Sequence, residues 1–402
     1  MNSYSQNLTQ NKKKWMYIIL GIFINICLGT VYSWSVFRKP IEETLQINAT
    51  QSGLPYMFFL FFYAITMPVA GKYIDKYSPR WIAILGGTLV AAGWFLAGFT
   101  NNIYSLTLTY GIIAGVGVGI IYGVPISVAA RWFPDKKGLV VGLTLLGFGL
   151  SPFITAPAAN FLINYTGVLN TFKYLGFLFL IIITILSLPL KNPQLKKNKQ
   201  NFADQNSIEN KNTKNSSILS SSKFYSLWFC YLIGTFSGLM AIGVSSPVAE
   251  EIINLPEETA AYTLSLFAVF NGIGRPLYGW ITDSISARFS AMISYLLIII
   301  ASLLILQAGE GSIILFIISF SLLWLNLGGW LAIAPAATGS IFGVKNYSRN
   351  YGLIFTAYGV GAILGTTASG RIRDIMGNYQ YTFYPLIFLA LAGIIVSWLY
   401  IK

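Results

Sequence analysis

The chain has 402 residues, of which 55% are hydrophobic and 10% are charged, and its formal net charge is +13. A soluble domain of ordinary composition is about a quarter charged, so these values exclude one. Apolar runs of about 20 residues recur from end to end, each long enough to cross a hydrocarbon core about 30 Å thick. The sequence therefore predicts an all-α polytopic membrane protein.

Twelve apolar segments are predicted to cross the membrane as helices. Their approximate bounds are 15–37, 54–74, 81–100, 103–130, 138–164, 170–190, 223–247, 259–282, 289–307, 312–338, 348–370 and 379–401. The first is longer than the apolar core of a signal peptide and has no small-residue cleavage site, so we interpret it as a retained span. Cys27 and Cys230 fall inside apolar runs and indicate buried side chains. No metal or cofactor is expected.

Lysine and arginine are distributed unevenly between the two sides of this predicted bundle. With the N-terminus inside, the cytoplasmic segments hold 20 of the 26, the outer segments hold five, and Arg275 alone lies within a span. This bias follows the positive-inside rule and predicts that both termini are cytoplasmic, in a multi-pass protein of the cell membrane. Topology thus explains the basic charge, and no nucleic-acid partner is expected.

One polar stretch divides the twelve spans into two groups of six. Residues 191–222 are rich in Asn, Lys and Ser, which predicts a flexible cytoplasmic linker. The predicted organisation is a cytoplasmic N-terminal tail over 1–14, a six-helix bundle over 15–190, this linker, and a second six-helix bundle over 223–402. The expected partners are the lipid bilayer and a small solute, and we predict a monomer.

Both halves carry a Pro-x-x-Gly-x-x-x-Asp motif at a constant offset of 208 positions. The pairs are Pro68 with Pro276, Gly71 with Gly279, and Asp75 with Asp283. Parallel six-helix repeats are typical of membrane transporters. Glycine lets helix ends approach closely, and aspartate can cap a helix or pair with Arg80 or Arg131, so the motif indicates contacts that change between conformations. Ordinary loop capping is the alternative.

Five segments carry the pattern of a known family. They are GTVYSWSVFRKPI in span 1, GKYIDKYSPR after span 2, GVGIIYGVPISVAARWFPDKKGL through spans 4 and 5, NGIGRPLYGWITD in span 8, and IFGVKNYSRNYGLIFTAYGVGAILG through spans 10 and 11. Together they resemble the oxalate/formate antiporter family of the major facilitator superfamily. The resemblance implies two six-helix pseudo-repeats that move small carboxylate anions.

The resemblance also implies which residues hold the substrate. In oxalate-exchanging members an arginine of span 8 and a lysine of span 11 hold the dicarboxylate, and Arg275 and Tyr358 stand at these positions. The aromatic lining corresponds to Tyr32, Tyr122, Phe148 and Phe355, with Trp330 beside a lining position of span 10. Because tyrosine replaces the second cation, the sequence favours a monocarboxylate such as formate, lactate, pyruvate or glycolate.

Physical chemistry singles out Arg275 independently of the resemblance. It precedes the interfacial Asp283 by eight residues, about 12 Å along a helix, and therefore lies near the middle of the membrane. A cation there costs at least about 2.5–3.5 kcal/mol, and the predicted spans hold no acidic residue at mid-depth. We expect an anionic substrate as its counterion, with Asn271 orienting Arg275 or contacting the substrate. A structural arginine bonded to carbonyls and phenols is the alternative.

Other functions fit the sequence less well. A primary pump would need a nucleotide-binding loop, and hydrolytic or metal chemistry would need histidine or mid-span acids, so we expect a transporter that is not an enzyme. The mode of coupling stays open among exchange, facilitated diffusion and proton transport through the substrate–arginine pair. A dicarboxylate exchanger, a carrier of neutral solutes and a non-transporting carboxylate sensor are the alternatives.

Overall fold

The structure, a computed structural model, describes residues 2–74, 76–133, 137–193, 218–343 and 347–400. All regular secondary structure within these ranges is helical, as predicted. Asp75 of the first repeated motif lies outside the described residues, and so does most of the predicted linker.

The N-terminal half is a run of helices joined by short turns. They are α1 (Asn2–Leu28), α2 (Trp34–Leu45), α3 (Ala49–Ser52), α4 (Leu54–Ile74), α5 (Pro79–Ala97), α6 (Ile103–Leu106), α7 (Gly115–Ile121), α8 (Gly123–Trp132), α9 (Lys137–Thr166) and α10 (Val168–Ser187). A 3-10 turn, Gly29–Ser33, joins α1 to α2 within one span. A π-helical segment, Thr107–Ala114, joins α6 to α7 within another.

The C-terminal half is built from longer helices. After a 3-10 turn at Ile218–Ser220 they are α11 (Ser222–Glu251), α12 (Glu257–Ser284), α13 (Ala287–Leu306), α14 (Ile313–Phe342), α15 (Tyr347–Met376) and α16 (Phe383–Tyr400). A second 3-10 turn, Tyr379–Thr382, precedes α16.

The membrane-spanning stretches agree with the twelve predicted spans. By length and composition, 11 stretches of the described residues can cross a membrane. The remaining predicted span is α12, which is long enough at 28 residues. Its hydropathy is lower because Asn271 and Arg275 lie in its middle. It is nevertheless held inside the bundle, packed between α9 and α14.

The two halves meet along three sets of helices. The helix α11 packs on α2, α12 packs on α9, and α15 packs on α3 and α4. The pairs α9–α12 and α4–α15 run antiparallel, because the N-terminus of each helix lies at the same end of the bundle as the C-terminus of its partner. These contacts bring the middle of α12 and the middle of α15 against the N-terminal half, where the candidate site lies.

One end of the bundle is closed by polar contacts between the halves. The charge bias predicts that this end faces outward, and we call it the outer end. Arg38 is fully buried there, and its Nη1 donates to the carbonyl of Gly243 on α11 at 3.1 Å. The Asp374 carboxylate on α15 accepts hydrogen bonds of 3.0 and 2.9 Å from the backbone N–H groups of Ala49 and Thr50, the first residues of α3.

An ion-pair cluster continues this closure. The Lys39 ammonium lies 3.1 Å from Glu250 and 3.8 Å from Glu257, both in the C-terminal half. The helical part of the first span extends beyond residue 37, the bound that hydropathy predicts. The helix α2 continues to Leu45.

Candidate substrate-binding site

Arg275 lies in the middle of α12, at the contact with α9. Its side chain is 6% exposed. The Nη1 atom donates a 2.6 Å hydrogen bond to the backbone carbonyl of Leu145. The Nε and Nη2 atoms are buried and make no hydrogen bond of good geometry to any described residue. These two atoms form one edge of the guanidinium, and that edge matches the two oxygens of a carboxylate.

None of the ion pairs among the described residues includes Arg275. Its charge is therefore uncompensated within that part of the chain. A buried donor left without an acceptor costs about 1–3 kcal/mol, and more when it is charged. The Tyr122 hydroxyl lies close enough to interact with the guanidinium, but no acidic residue of the described chain forms an ion pair with it, so the two donors indicate a site that an anion can satisfy.

Aromatic side chains from both halves gather beside Arg275. We call them the central aromatic cluster: Tyr32, Tyr63, Tyr122, Phe148, Phe355 and Tyr358. Ring centroids are 5.0 Å apart for Tyr32–Phe148 and 5.4 Å for Tyr122–Phe148. The ring of Tyr63 lies 5.1 Å from Tyr122. Because all of these rings are buried, the cluster forms a low-dielectric wall in which a charge pair is strong.

A hydrogen bond crosses this cluster between the halves. The hydroxyls of Tyr32 and Tyr358 are 2.6 Å apart. Arg275 acts electrostatically on the Tyr32 and Tyr122 phenols and lies beside the latter. Tyr32 therefore lies between Arg275 and the position at which the resemblance implies a second cation.

The local sequence explains how these side chains meet. Tyr32 stands in the 3-10 turn of the first span, and Tyr122 stands where α7 meets α8. Next to Phe148, Gly149 allows α12 to come close, because a Cβ atom there would lie 2.8 Å from the Asn271 Oδ1. On α15, Phe355 and Tyr358 are one turn apart and their rings stack at 5.0 Å.

Two predicted substrate residues are placed differently from the rest. Asn271 donates from Nδ2 to the Trp324 carbonyl at 3.1 Å, so it holds α12 to α14, while its Oδ1 is buried without a hydrogen bond. Trp330 packs inside the C-terminal half, with its ring 6.1 Å from Tyr231 and 5.4 Å from Tyr295. Trp330 is therefore outside the central aromatic cluster, and we leave it out of the proposed site.

Two residues of the site were not predicted from the sequence. Tyr63 on α4 contacts Phe355 and Tyr358 at centroid distances of 5.6 and 5.8 Å. The repeat contained a signal for it, because Tyr63 precedes Asn271 by the same 208 positions that relate the two motifs. Trp324 on α14 lies 6.5 Å from Tyr32, and no pattern distinguished it from the other aromatic residues of its span.

The predicted gating residues that the structure describes lie at the end opposite the outer end, which we call the inner end. A Cβ atom added at Gly71 or at Gly279 would meet nothing within 4 Å. Arg80 is in the first turn of α5, and Arg131 is in the last turn of α8. Asp283 is exposed near the end of α12. The glycines of the repeated motif are therefore not in close helix contact in this conformation.

Solved structures share the fold. A bacterial homolog of the human lysosomal transporter Spinster, in an inward-facing and unoccupied conformation, has a TM-score of 0.72 at 15% identity, covering 96% of each chain. The nucleoside transporter NupG has a TM-score of 0.75 at 13% identity, covering 97% of this chain and 100% of that one.

Sequence relatives agree with the resemblance carried by the motifs. The oxalate:formate antiporter of Oxalobacter formigenes is 28% identical over 368 residues, which are 90% of this chain and 86% of that protein. Human monocarboxylate transporter 2 is 26% identical over 395 residues, 92% of this chain and 82% of that protein. The Major Facilitator Superfamily profile matches residues 18–306 and, in an overlapping second match, 227–402. The chain belongs to the Major Facilitator Superfamily.

Proposed function

We propose that this chain is a secondary transporter that moves small monocarboxylate anions, such as formate, lactate, pyruvate or glycolate, across the cell membrane by alternating access. Arg275 is the counterion of the substrate. The observation that carries this proposal is the free Nε–Nη2 edge of a buried guanidinium, beside aromatic rings from both halves. A carboxylate on this edge would satisfy both orphaned donors with two charge-assisted hydrogen bonds.

Tyr358 supports a monocarboxylate over a dicarboxylate. Its hydroxyl can donate one hydrogen bond, but it brings no second positive charge, and it is already bonded to Tyr32. The related proteins are an oxalate:formate antiporter and monocarboxylate transporters, so carboxylates are the shared chemistry of their names. With a single cation, the site balances a single negative charge.

The same contacts suggest how binding is coupled to movement. The Arg275–Leu145 and Tyr32–Tyr358 hydrogen bonds both join the two halves near the middle of the membrane. A carboxylate neutralises Arg275 and lowers the cost of enclosing it, so the loaded carrier changes conformation more readily than the empty one. Obligatory exchange of anions follows from this coupling.

The architecture proposed with this function is the one predicted from the sequence. The bundles over 15–190 and 223–402 move against each other as two bodies, and the linker over 191–222 joins them on the cytoplasmic side. We propose that the protein works as a monomer in the cell membrane, since the site is built by one chain.

A ligand screen on the purified protein tests the substrate class. We expect formate, lactate, pyruvate or glycolate to raise the melting temperature at millimolar concentration, by about 1 °C for each kcal/mol of binding energy, because the entropy of unfolding of a chain this long is large. Lactamide, the neutral isostere of lactate, should give no shift. A clearly larger shift with oxalate would show that the substrate is a dicarboxylate, and an equal shift with lactamide would show a neutral solute.

Closure of the outer end gives a second prediction. In the Lys39→Glu variant, Glu250 and Glu257 face a third carboxylate, so the outer-closed conformation loses stability. An exposed ion pair contributes about 0.2–1 kcal/mol, and reversing the charge adds repulsion of similar size. We expect a 3- to 10-fold faster reaction of Ser35→Cys with a membrane-impermeant maleimide, because Ser35 is buried between the halves at this end.

The labelling is measured in a background in which Cys27 and Cys230 are replaced by serine. Lys173→Glu is the matched control, since Lys173 lies at the same end and contacts Phe99 and Asn170 of its own half. If both charge reversals change the labelling rate equally, or neither does, the Lys39 ion pairs do not hold the outer end closed.

A further inference from the structure

The helices α9 and α12 follow each other closely from the outer end to Arg275. Near the outer end the Ser265 hydroxyl donates to the Phe153 carbonyl at 3.2 Å. In the middle, a Cβ atom on Gly149 would lie 3.4 Å from the Cα of Gly272. The contact reaches as far as the hydrogen bond between Arg275 and the Leu145 carbonyl.

Beyond Arg275 the glycines of the two helices no longer touch the opposite helix. Gly142 lies two helical turns before Gly149 on the same face of α9, and Gly279 lies two turns after Gly272 on the same face of α12. A Cβ atom added at Gly142 or at Gly279 would meet nothing within 4 Å. Because the helices are antiparallel, these two positions lie at the same level, so the gap between the helices opens there.

The other antiparallel pair between the halves is in contact down to a similar level, and Gly71, the repeat counterpart of Gly279, likewise has open space around an added Cβ atom. On α15, a Cβ atom at Gly359 would lie 2.9 Å from the Cβ of Ala64, and one at Gly352 would lie 2.9 Å from the Cβ of Pro68. Pro68 is the repeat counterpart of Pro276, the residue after Arg275. The inner end is thus open at Gly142 and Gly279 between α9 and α12, and also at Gly71 on α4.

We propose that Gly142 and Gly279 are the surface on which α9 and α12 close when the inner end shuts. This inference rests on the alternating access of the proposed function and adds where the moving helices meet. Two glycines at one level let helix backbones come into direct contact, as Gly149 and Gly272 already do two turns away. Arg275 stands at the point of divergence, where an anion bound to its free edge lies between the two helices that close.

Disulfide crosslinking tests this closure directly. The pair Gly142→Cys and Gly279→Cys is introduced with Cys27 and Cys230 replaced by serine, in proteoliposomes treated with copper phenanthroline. A disulfide needs Cα atoms about 4.4–6.8 Å apart, so it should form only as the inner end closes. We expect crosslinking that becomes several-fold faster with formate or lactate.

The pair Phe153→Cys and Ser265→Cys is the reciprocal control, because these positions already touch in the described conformation. Crosslinking of this pair but never of the Gly142 and Gly279 pair, with or without carboxylate, would overturn the inference. Crosslinking of the glycine pair at a rate that no carboxylate changes would support the closure and count against the proposed substrate class instead. The two proposals therefore fail in different ways.

Bulk at the closing surface gives an independent readout. Gly142→Leu and Gly279→Leu should each lower carboxylate uptake at least 10-fold while the thermal shift with carboxylate is kept, because the leucine obstructs closure and not binding. Gly309→Leu is the control, since Gly309 also has open space around it but lies in a loop at the outer end. Uptake at the unmodified rate in both leucine variants would contradict the inference.

Discussion

Arg275→Gln is expected to abolish carboxylate binding and transport while the protein keeps its fold. The substitution removes both free donors of the guanidinium edge and the positive charge behind them. Hydrogen bonds to charged groups contribute about 1.5–3 kcal/mol each, so the loss of two corresponds to an affinity at least about 100-fold weaker. The measurements are the thermal shift with formate or lactate and the uptake into proteoliposomes.

Stability separates this loss from misfolding. Because Arg275 is a buried cation at mid-depth, its removal should leave the melting temperature of the protein without ligand unchanged or raise it. Arg275→Lys keeps the charge but loses the planar edge with two N–H donors. We expect an intermediate affinity, about 10-fold or more below that of the unmodified protein. Arg371→Gln, an exposed charge in the same half, should change neither quantity. Unaltered transport by Arg275→Gln would indicate a neutral solute.

The parts of the fold that the sequence predicts are those governed by local composition and by the repeat. Runs of apolar residues define the spans because each span must satisfy its own backbone hydrogen bonds in lipid, so the all-helical fold and the number of spans follow from them. The mid-depth position of Arg275 follows from its spacing to Asp283, because the helical rise is fixed. Its burial at 6% exposure agrees with that prediction.

The outer end could not be derived in this way. Arg38 and Asp374 look like loop charges in the sequence, since polar residues adjoin them on one side. Arg38 bonds locally to Ser52 and Ala49, but its Gly243 partner, like the N-terminus of α3 that partners Asp374, is more than 200 residues away in the chain. A hydropathy scale treats each residue separately. The docking of the two halves supplies the hydrogen bonds that lower the free-energy cost of burying these charges.

The sequence predicts the chemical type of the site but not all of the residues that form it. Aromatic residues are common in membrane spans, and the face on which a ring lies depends on how the helices rotate against each other. Tyr122 and Trp330 are 208 positions apart and are repeat counterparts, but Tyr122 lies beside Arg275 of the other half while Trp330 lies against Gly234 of its own half. The repeat therefore conserves position in the bundle without conserving orientation toward the site.

Tyr358→Lys is expected to shift selectivity from monocarboxylates toward dicarboxylates. The substitution places a second cation across Tyr32 from Arg275, where the resemblance to oxalate-exchanging transporters implies a lysine. Two cations balance a dianion, so we expect the ratio of oxalate to formate affinity to rise at least 10-fold. The thermal shift measured with each anion over a range of concentrations gives this ratio. A buried ammonium without substrate is unfavourable, so the melting temperature without ligand should fall.

Tyr358→Phe distinguishes the charge from the loss of the Tyr32–Tyr358 hydrogen bond. It removes the hydroxyl and keeps the ring that stacks on Phe355, so the pocket keeps its shape. We expect no gain in oxalate affinity, and at most a few-fold change with formate, since a neutral hydrogen bond contributes about 0.5–1.5 kcal/mol. If the phenylalanine and lysine variants gained oxalate affinity equally, opening the Tyr32 contact would set selectivity. If neither gained it, the second carboxylate would bind elsewhere in the cavity.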